Sequence, residues 1–235
     1  MRDNPGMAGH LVLVRHGQTE WAAAGRHTGR TDVRLTAAGE DQARHLRDWA
    51  GSLGDVPVLS SPLQRARRTA ELAGFTDVHL DDDLVEWDYG GYEGLTTDQI
   101  RERTGQPWHV FADGVVPGDT PGETLAEVAT RTHRVLDRIR PMITDSDVVL
   151  VAHGHVLRVL AASWLGAEPA LGAHLELDPA GVAILGTLHE VPAIHSWNLR
   201  SPDLASGGGV DSAARVGAPM VDPTPTTPDR RGDDL

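Results

Sequence analysis

Two short apolar runs in this chain break off in the same way. Leu11-Val-Leu-Val14 ends at Arg15-His16-Gly17, and Val148-Val-Leu-Val151 ends at Ala152-His153-Gly154. Each run is short, apolar and rich in β-branched residues, as expected of a strand buried in a sheet. A single histidine at a strand end is more often structural than chemical. Two, each followed by a glycine that lets the backbone turn and approach a ligand closely, form a pattern that constrains both fold and function.

Helical segments fall between the strand-like runs. Thr36 reads as an N-cap for a helix running to about Gly51, with Leu46, Trp49, Ala50 and Leu53 near helical spacing. Val56–Leu59 is a second strand. Ser61-Pro62 opens a helix to about Ala73, serine as N-cap and proline at the first helical position. Val78–Leu80 is a further short strand, Asp81–Gly94 a charged, aromatic, glycine-containing loop, and Thr97–Thr104 a short helix. The Gly- and Pro-rich stretch 105–122 reads as a surface excursion. Thr124–Ile143 is a long amphipathic helix with Leu125, Val128, Ala129, Val135, Leu136 and Ile139 on its apolar side. After the strand at Val148 come a helix over His155–Leu165, ended at Gly166, and a hairpin of Val182–Leu188 with Ala193–Leu199. This alternation predicts an α/β fold, a three-layer α/β/α arrangement around a mostly parallel central sheet. Residues 1–200 read as one catalytic domain. Residues 201–235, rich in Pro, Gly, Ser, Thr and Asp and with a net charge of −3, read as a disordered acidic tail.

Composition narrows the function classes. The 235 residues are 40% hydrophobic, enough to bury a core, and carry a formal charge of −13. That balance argues against nucleic acid or an anionic membrane surface as partner. Cysteine is absent, which removes disulfide and thiolate chemistry. No apolar run reaches the roughly 18–20 residues of a membrane span, so a cytoplasmic protein is the expectation. A homodimer is compatible with the sequence but not specified by it.

The strand at Val56–Leu59 feeds Ser60-Ser61-Pro62 and a helix carrying Arg65. Ligands of open α/β sheets gather at the carboxyl ends of strands. Two histidines, two arginines and helix N-terminal amides therefore belong to one place. A metal site would add carboxylates at ligand spacing, and His153 and His155, two apart, would diverge on a helix. A phosphoryl group fits better: arginines neutralise its oxygens, one imidazole attacks and the other stabilises charge.

These residues also resemble a known family. Arg15-His16-Gly17-Gln18-Thr19 is similar to the RHG-x-[ST] signature of the histidine phosphatase superfamily, the phosphoglycerate-mutase-like fold. Ser61-Pro-Leu-Gln-Arg65-Ala-Arg-Arg-Thr69-Ala70 looks like its S-x-L-x-R-A-x-x-T-A helix, Glu86-Trp-Asp-Tyr89-Gly90 its E-x-x-Y/F-G loop, and Ala152-His153-Gly154 its second-histidine motif. Thr28-Gly29 with Asp32 and Leu35-Thr36 matches a T-G-x-x-D-x-x-L-T segment. The resemblance covers about residues 10–200. It implies that His16 is the nucleophile and forms a phosphohistidine, that Arg15, Arg65 and His153 hold the phosphoryl oxygens, and that Glu86 is the general acid and base. Thr19, Thr28, Gly29, Tyr89 and Gly154 are implied substrate contacts. His27 divides between pocket and surface, and Glu123, in Pro121-Gly122-Glu123-Thr124, between the pocket mouth and the cap of the helix that follows, the cap being favoured. No metal or cofactor is implied, and the partner is a small phosphorylated substrate.

The superfamily holds phosphatases and mutases. Mutases usually carry Asn after the first tryptophan, where this chain has Ala22. They carry lysine where it has Thr97, paired arginines in an insertion where it has only Arg101 and Arg103, and Asn where it has His155. The four departures favour a phosphatase acting on small phosphomonoesters, and the implied chemistry, a general acid that must carry a proton beside an imidazole that must not, predicts an acidic pH optimum. Phosphoglycerate mutase and a non-catalytic phosphate-binding module are the alternatives.

Overall fold

The computed structural model describes residues 9–200 together with Leu204. Leu11 to Val14 are fully buried and alternate between two cores, Leu11 and Leu13 facing one, Val12 and Val14 the other. A strand covered on both faces needs no polar alternation, which is why the run is apolar throughout. In chain order the elements are β1 (Leu11–Arg15), α1 (Glu20–Ala23), α2 (Ala37–Arg44), α3 (Arg47–Ser52), β2 (Val58–Ser60), α4 (Gln64–Leu72) and β3 (Val78–Leu80). Then follow α5 (Thr97–Thr104), α6 (Val110–Asp113), α7 (Leu125–Ile143), β4 (Val148–Ala152), α8 (Gly154–Trp164), β5 (Val182–Leu188) and β6 (Val191–Leu199).

One six-stranded sheet has the order β3-β2-β4-β1-β5-β6. The first four strands of that order are parallel, β5 runs antiparallel to β1, and β6 antiparallel to β5. Helices α7 and α8 cover one face, while α3 and α4 cover the other. The expected three-layer α/β/α architecture is therefore present. Register sets the function: Arg15 lies opposite Ala152 and Ser60 opposite Val151. The ladder runs one step further, His16 N–H donating to the Ala152 carbonyl at 2.9 Å and Ser61 N–H to the Val151 carbonyl at 3.0 Å. Three strands thus deliver His16, His153 and Ser61 to the carboxyl end of the sheet.

The structure corrects several expectations. The helix expected from Thr36 to Gly51 is two, α2 and α3. The backbone stays near helical values through His45 and Leu46, so the apolar periodicity survives the break and conceals it. Helix α4 begins at Gln64 rather than at Ser61-Pro62. Ser61 Oγ is drawn to His153, and Asp32 Oδ1 instead accepts the Gln64 N–H at 2.8 Å, capping the helix from a distant segment. The 105–122 stretch is not simply a surface excursion. Trp108, Val110 and Phe111 are buried, α6 lies within it, and Phe111 packs edge-on against Trp87 with ring centroids 5.5 Å apart. Residues 201–235, Leu204 aside, lie outside the described residues. No helix among the described residues is long and apolar enough to cross a membrane.

Candidate active site

His16 is aimed by its own neighbour. Its Nδ1 lies 2.7 Å from the Gly17 carbonyl, which can only accept, so the proton sits on Nδ1 and Nε2 keeps its lone pair. Burial, then the Arg65 and Arg15 guanidinium groups, hold the imidazole well below its ordinary pKa. The result is a neutral ring with a free nucleophilic nitrogen. Gly17 is required here: a Cβ would lie 2.3 Å from the Gly39 carbonyl of α2. Its N–H donates to Thr69 Oγ1 of α4 at 3.0 Å, which gives the threonine of the helix motif a supporting task.

Arg15 leaves a buried donor open. One Nη1 hydrogen goes to the Leu177 carbonyl at 2.5 Å, but its Nε is buried and has no partner among the described residues. A buried donor left open beside a free imidazole nitrogen is where an anionic oxygen would be accepted. Arg65, fully buried, differs from expectation. Its donors go to the carbonyls of Thr28, Gly29 and Thr31 and to His153 Nδ1 at 3.1 Å, so four of its hydrogen bonds are internal. It organises the site and contributes charge. Because His153 Nδ1 accepts from Arg65, its proton lies on Nε2, 2.7 Å from Ser61 Oγ. Burial and Arg65 also hold His153 well below its ordinary pKa. The rings of His16 and His153 are 5.1 Å apart.

Glu86 arrives from the loop after β3 and sits on the N-terminus of α8. Its Oε1 accepts the N–H groups of Trp87 and Val156, both at 2.9 Å, and its Oε2 accepts the N–H of His155 at 3.0 Å. A helix N-terminus with unpaired N–H groups holds such a carboxyl group in place. Both Oε1 lone pairs are engaged, which leaves one on Oε2 without an N–H donor.

A pocket of about 190 Å³ opens over these groups, lined by Arg15, His16, Glu86, Thr28, Tyr89 and Gly154. His27, His155 and Arg158 line it as well. Tyr89 is buried and bonds His155 Nδ1 at 2.6 Å. Burial pushes the phenol up and the imidazole down, so the phenol O–H donates and the ring accepts. Of the other expected contacts, Gly154 lies against the Arg15 guanidinium. Thr19 does not line the pocket; its hydroxyl caps α1, accepting the Ala22 N–H at 3.1 Å. Gly29 acts through its backbone, its N–H bound by Glu93 and its carbonyl by Arg65. Glu123 is not the cap of α7, a role filled by Thr124 and Glu127 as a capping box. A larger groove of about 640 Å³ between α4 and β3 carries none of the catalytic candidates.

The structure adds Arg158 to the residues singled out from sequence and brings His155 into the pocket lining. Helical spacing could have found Arg158, since residues 154 and 158 share a face of α8. His155 bonds Glu86 through its backbone, for which no side-chain pattern exists. Among the described residues, no group of His, Asp and Glu is arranged to hold a metal ion.

With this arrangement in place, comparison with known proteins defines the class. Residues 11–200 match the profile of the histidine phosphatase superfamily (branch 1). An acid phosphatase of Mycobacterium tuberculosis is 39% identical over 183 residues, spanning 77% of this chain and 88% of that protein. A probable phosphoglycerate mutase GpmB of Escherichia coli is 37% identical over 160 residues, 66% of this chain and 74% of that one. The solved structure of the open reading frame Rv3214 from Mycobacterium tuberculosis superposes with a TM-score of 0.77 at 37% identity, covering 83% of this chain and 99% of that chain. The chain belongs to the histidine phosphatase superfamily.

Proposed function

We propose that this protein is a metal-independent phosphatase that hydrolyses small phosphomonoesters through a phosphohistidine on His16. The observation that carries this reading is the pairing of the free His16 Nε2 with the open, buried Nε of Arg15. In the first step Nε2 attacks phosphorus and the bond to the ester oxygen breaks. Glu86 gives its proton to the departing alkoxide. In the second step a water attacks the phosphohistidine, Glu86 takes the water's proton, and the N–P bond breaks to release inorganic phosphate. Arg15 stabilises the charge on the transferring group in both steps through its open Nε, Arg65 adds its positive charge from behind, and His153, its two nitrogens engaged by Arg65 and Ser61, holds that arrangement in place.

An acidic working range follows from opposite requirements on two groups. A general acid must hold a proton at the start of the first step, while His16 stays neutral because burial and two guanidinium groups depress its pKa. Acidification through the ordinary histidine value of 6.5 should therefore leave kcat/KM undiminished. The net charge of −13 supports a small metabolite rather than a nucleic acid as partner.

The test is turnover of an aryl phosphate with a strong chelator present. Hydrolysis should persist with chelator and vanish in His16→Ala. The mutase reading has a similar relative in its favour. Against it, Arg101 pairs outside with Asp98 and Arg103 with the Gly91 carbonyl, both exposed. Interconversion of 2- and 3-phosphoglycerate would establish the mutase. Phosphate-ester binding without turnover would establish the non-catalytic module.

A further inference from the structure

Glu86 is held at its two oxygens by backbone N–H groups, but its position also depends on the loop that carries it. That loop is gripped by one buried ion pair outside the pocket. Arg131, on the inner face of α7 and only 4% exposed, makes a two-pronged contact with Glu123, Nε to Oε1 at 2.8 Å and Nη2 to Oε2 at 3.1 Å. Its Nη1 donates to the carbonyls of Asp83 at 2.8 Å and Val85 at 2.6 Å. Glu123 works from the other side: its Oε2 accepts the Asp88 N–H at 2.9 Å, and its carbonyl accepts Trp87 Nε1 at 2.7 Å. The Glu123 N–H also donates to the Asp88 carbonyl at 2.9 Å. The residues before and after Glu86 are thus tied to the same pair.

We infer that Arg131 and Glu123 are positioning residues that hold the Glu86 carboxyl at the leaving-group oxygen. The inference rests on the reading of Glu86 as general acid. Burying an ion pair is a poor way to gain stability, because desolvation offsets the attraction. What this one provides is rigidity: a planar guanidinium fork fixes two carbonyls and a carboxylate at once, which a lysine could not do. Neither residue lines the pocket, so neither touches substrate. A loop freed by a fraction of an ångström would leave His16 and Arg15 in place and displace the acid.

The experiment uses the full-length chain and a series of phosphate monoesters, from 4-nitrophenyl phosphate, whose leaving group needs little protonation, to glycerol phosphate, whose leaving group needs it fully. The readout is kcat/KM, which reports the step that releases the alcohol. Glu123→Gln, Arg131→Lys and Arg131→Met are compared with Glu86→Gln, each checked for a cooperative melt. For Glu123→Gln and Arg131→Met, activity on glycerol phosphate relative to nitrophenyl phosphate should fall about tenfold or more, a substantial part of a general acid's contribution. Arg131→Lys should recover part of that ratio. Inhibition by inorganic phosphate should stay within about twofold of the parent, because the nucleophile side is intact. Equal losses on every ester, or no loss, would overturn the inference. If Arg131→Met fails to melt cooperatively, Glu123→Gln, which keeps size and shape, decides alone. If Glu86→Gln steepens the leaving-group dependence and the pair's variants do not, the acid stands and the positioning role falls. If Glu86→Gln leaves it unchanged, the acid assignment itself fails.

Discussion

Arg15 and His16 are neighbours in sequence, yet different partners aim them. The Gly17 carbonyl fixes the imidazole tautomer, and the Leu177 carbonyl anchors the guanidinium while leaving Nε open. Replacing His16 with alanine should lower turnover by about 10⁴-fold or more, the scale seen when a covalent nucleophile is removed. Thr19 gives the opposite expectation. Its hydroxyl caps α1, so Thr19→Ala should lower unfolding stability by about 1 kcal/mol and leave KM unchanged. A raised KM with unchanged stability would restore it as a substrate contact. At this scale the sequence disclosed identities better than roles. The convergence of His16, Glu86 and His153 on one crevice was legible because their residue types stand out at a strand end or loop. The internal hydrogen bonding of Arg65 was not, because its partners are backbone carbonyls of Thr28, Gly29 and Thr31, which carry no side-chain signature.

Among the elements, α8 and α7 do the positioning. The first turn of α8 binds Glu86 through its N–H groups, and Arg131, Arg134 and Arg138 of α7 grip the acidic segment 81–85 that leads to it. The apolar stripe of α7 was readable from its period, but Arg131 interrupts that stripe as a buried cation, which hydrophobic pattern alone cannot announce. Glycine and proline in 105–122 suggested a surface excursion, which hid Phe111; turns there fold Trp108 and Phe111 back into the core. Trp108→Ala should therefore destabilise the protein by about 3–5 kcal/mol, as for a core aromatic, rather than by the few tenths expected at a surface. Chemical unfolding checks this directly. The strands β1 and β4 were legible nearly to the residue because burial on both faces leaves them no alternative pattern.

At the level of the whole molecule, ionisation links site and stability. His16, His153 and His155 are held well below the ordinary value of 6.5, and His27 at about 4, in each case chiefly by burial. As pH falls through 6.5, the unfolded chain takes up protons that the folded chain refuses. Stability is therefore greatest above 6.5 and declines toward the folded values, at about 1.4 kcal/mol per pH unit for each fully buried ring. The melting temperature should drop between neutral pH and about pH 5, and inorganic phosphate should restore part of it by binding the folded state. A flat profile would mean that these rings are not buried neutral. The sheet also assembles the site, since registers of β1, β2 and β4 bring residues far apart in sequence to one crevice. The central claim is that this crevice transfers a phosphoryl group to His16 Nε2. Rapid quenching of the enzyme with a phosphate-labelled monoester, under conditions that preserve N–P bonds, followed by peptide mapping, tests it most directly. Label on His16 Nε2, stable in alkali and lost in acid, is the predicted result; turnover with no labelled histidine, or label on any other residue, would contradict it.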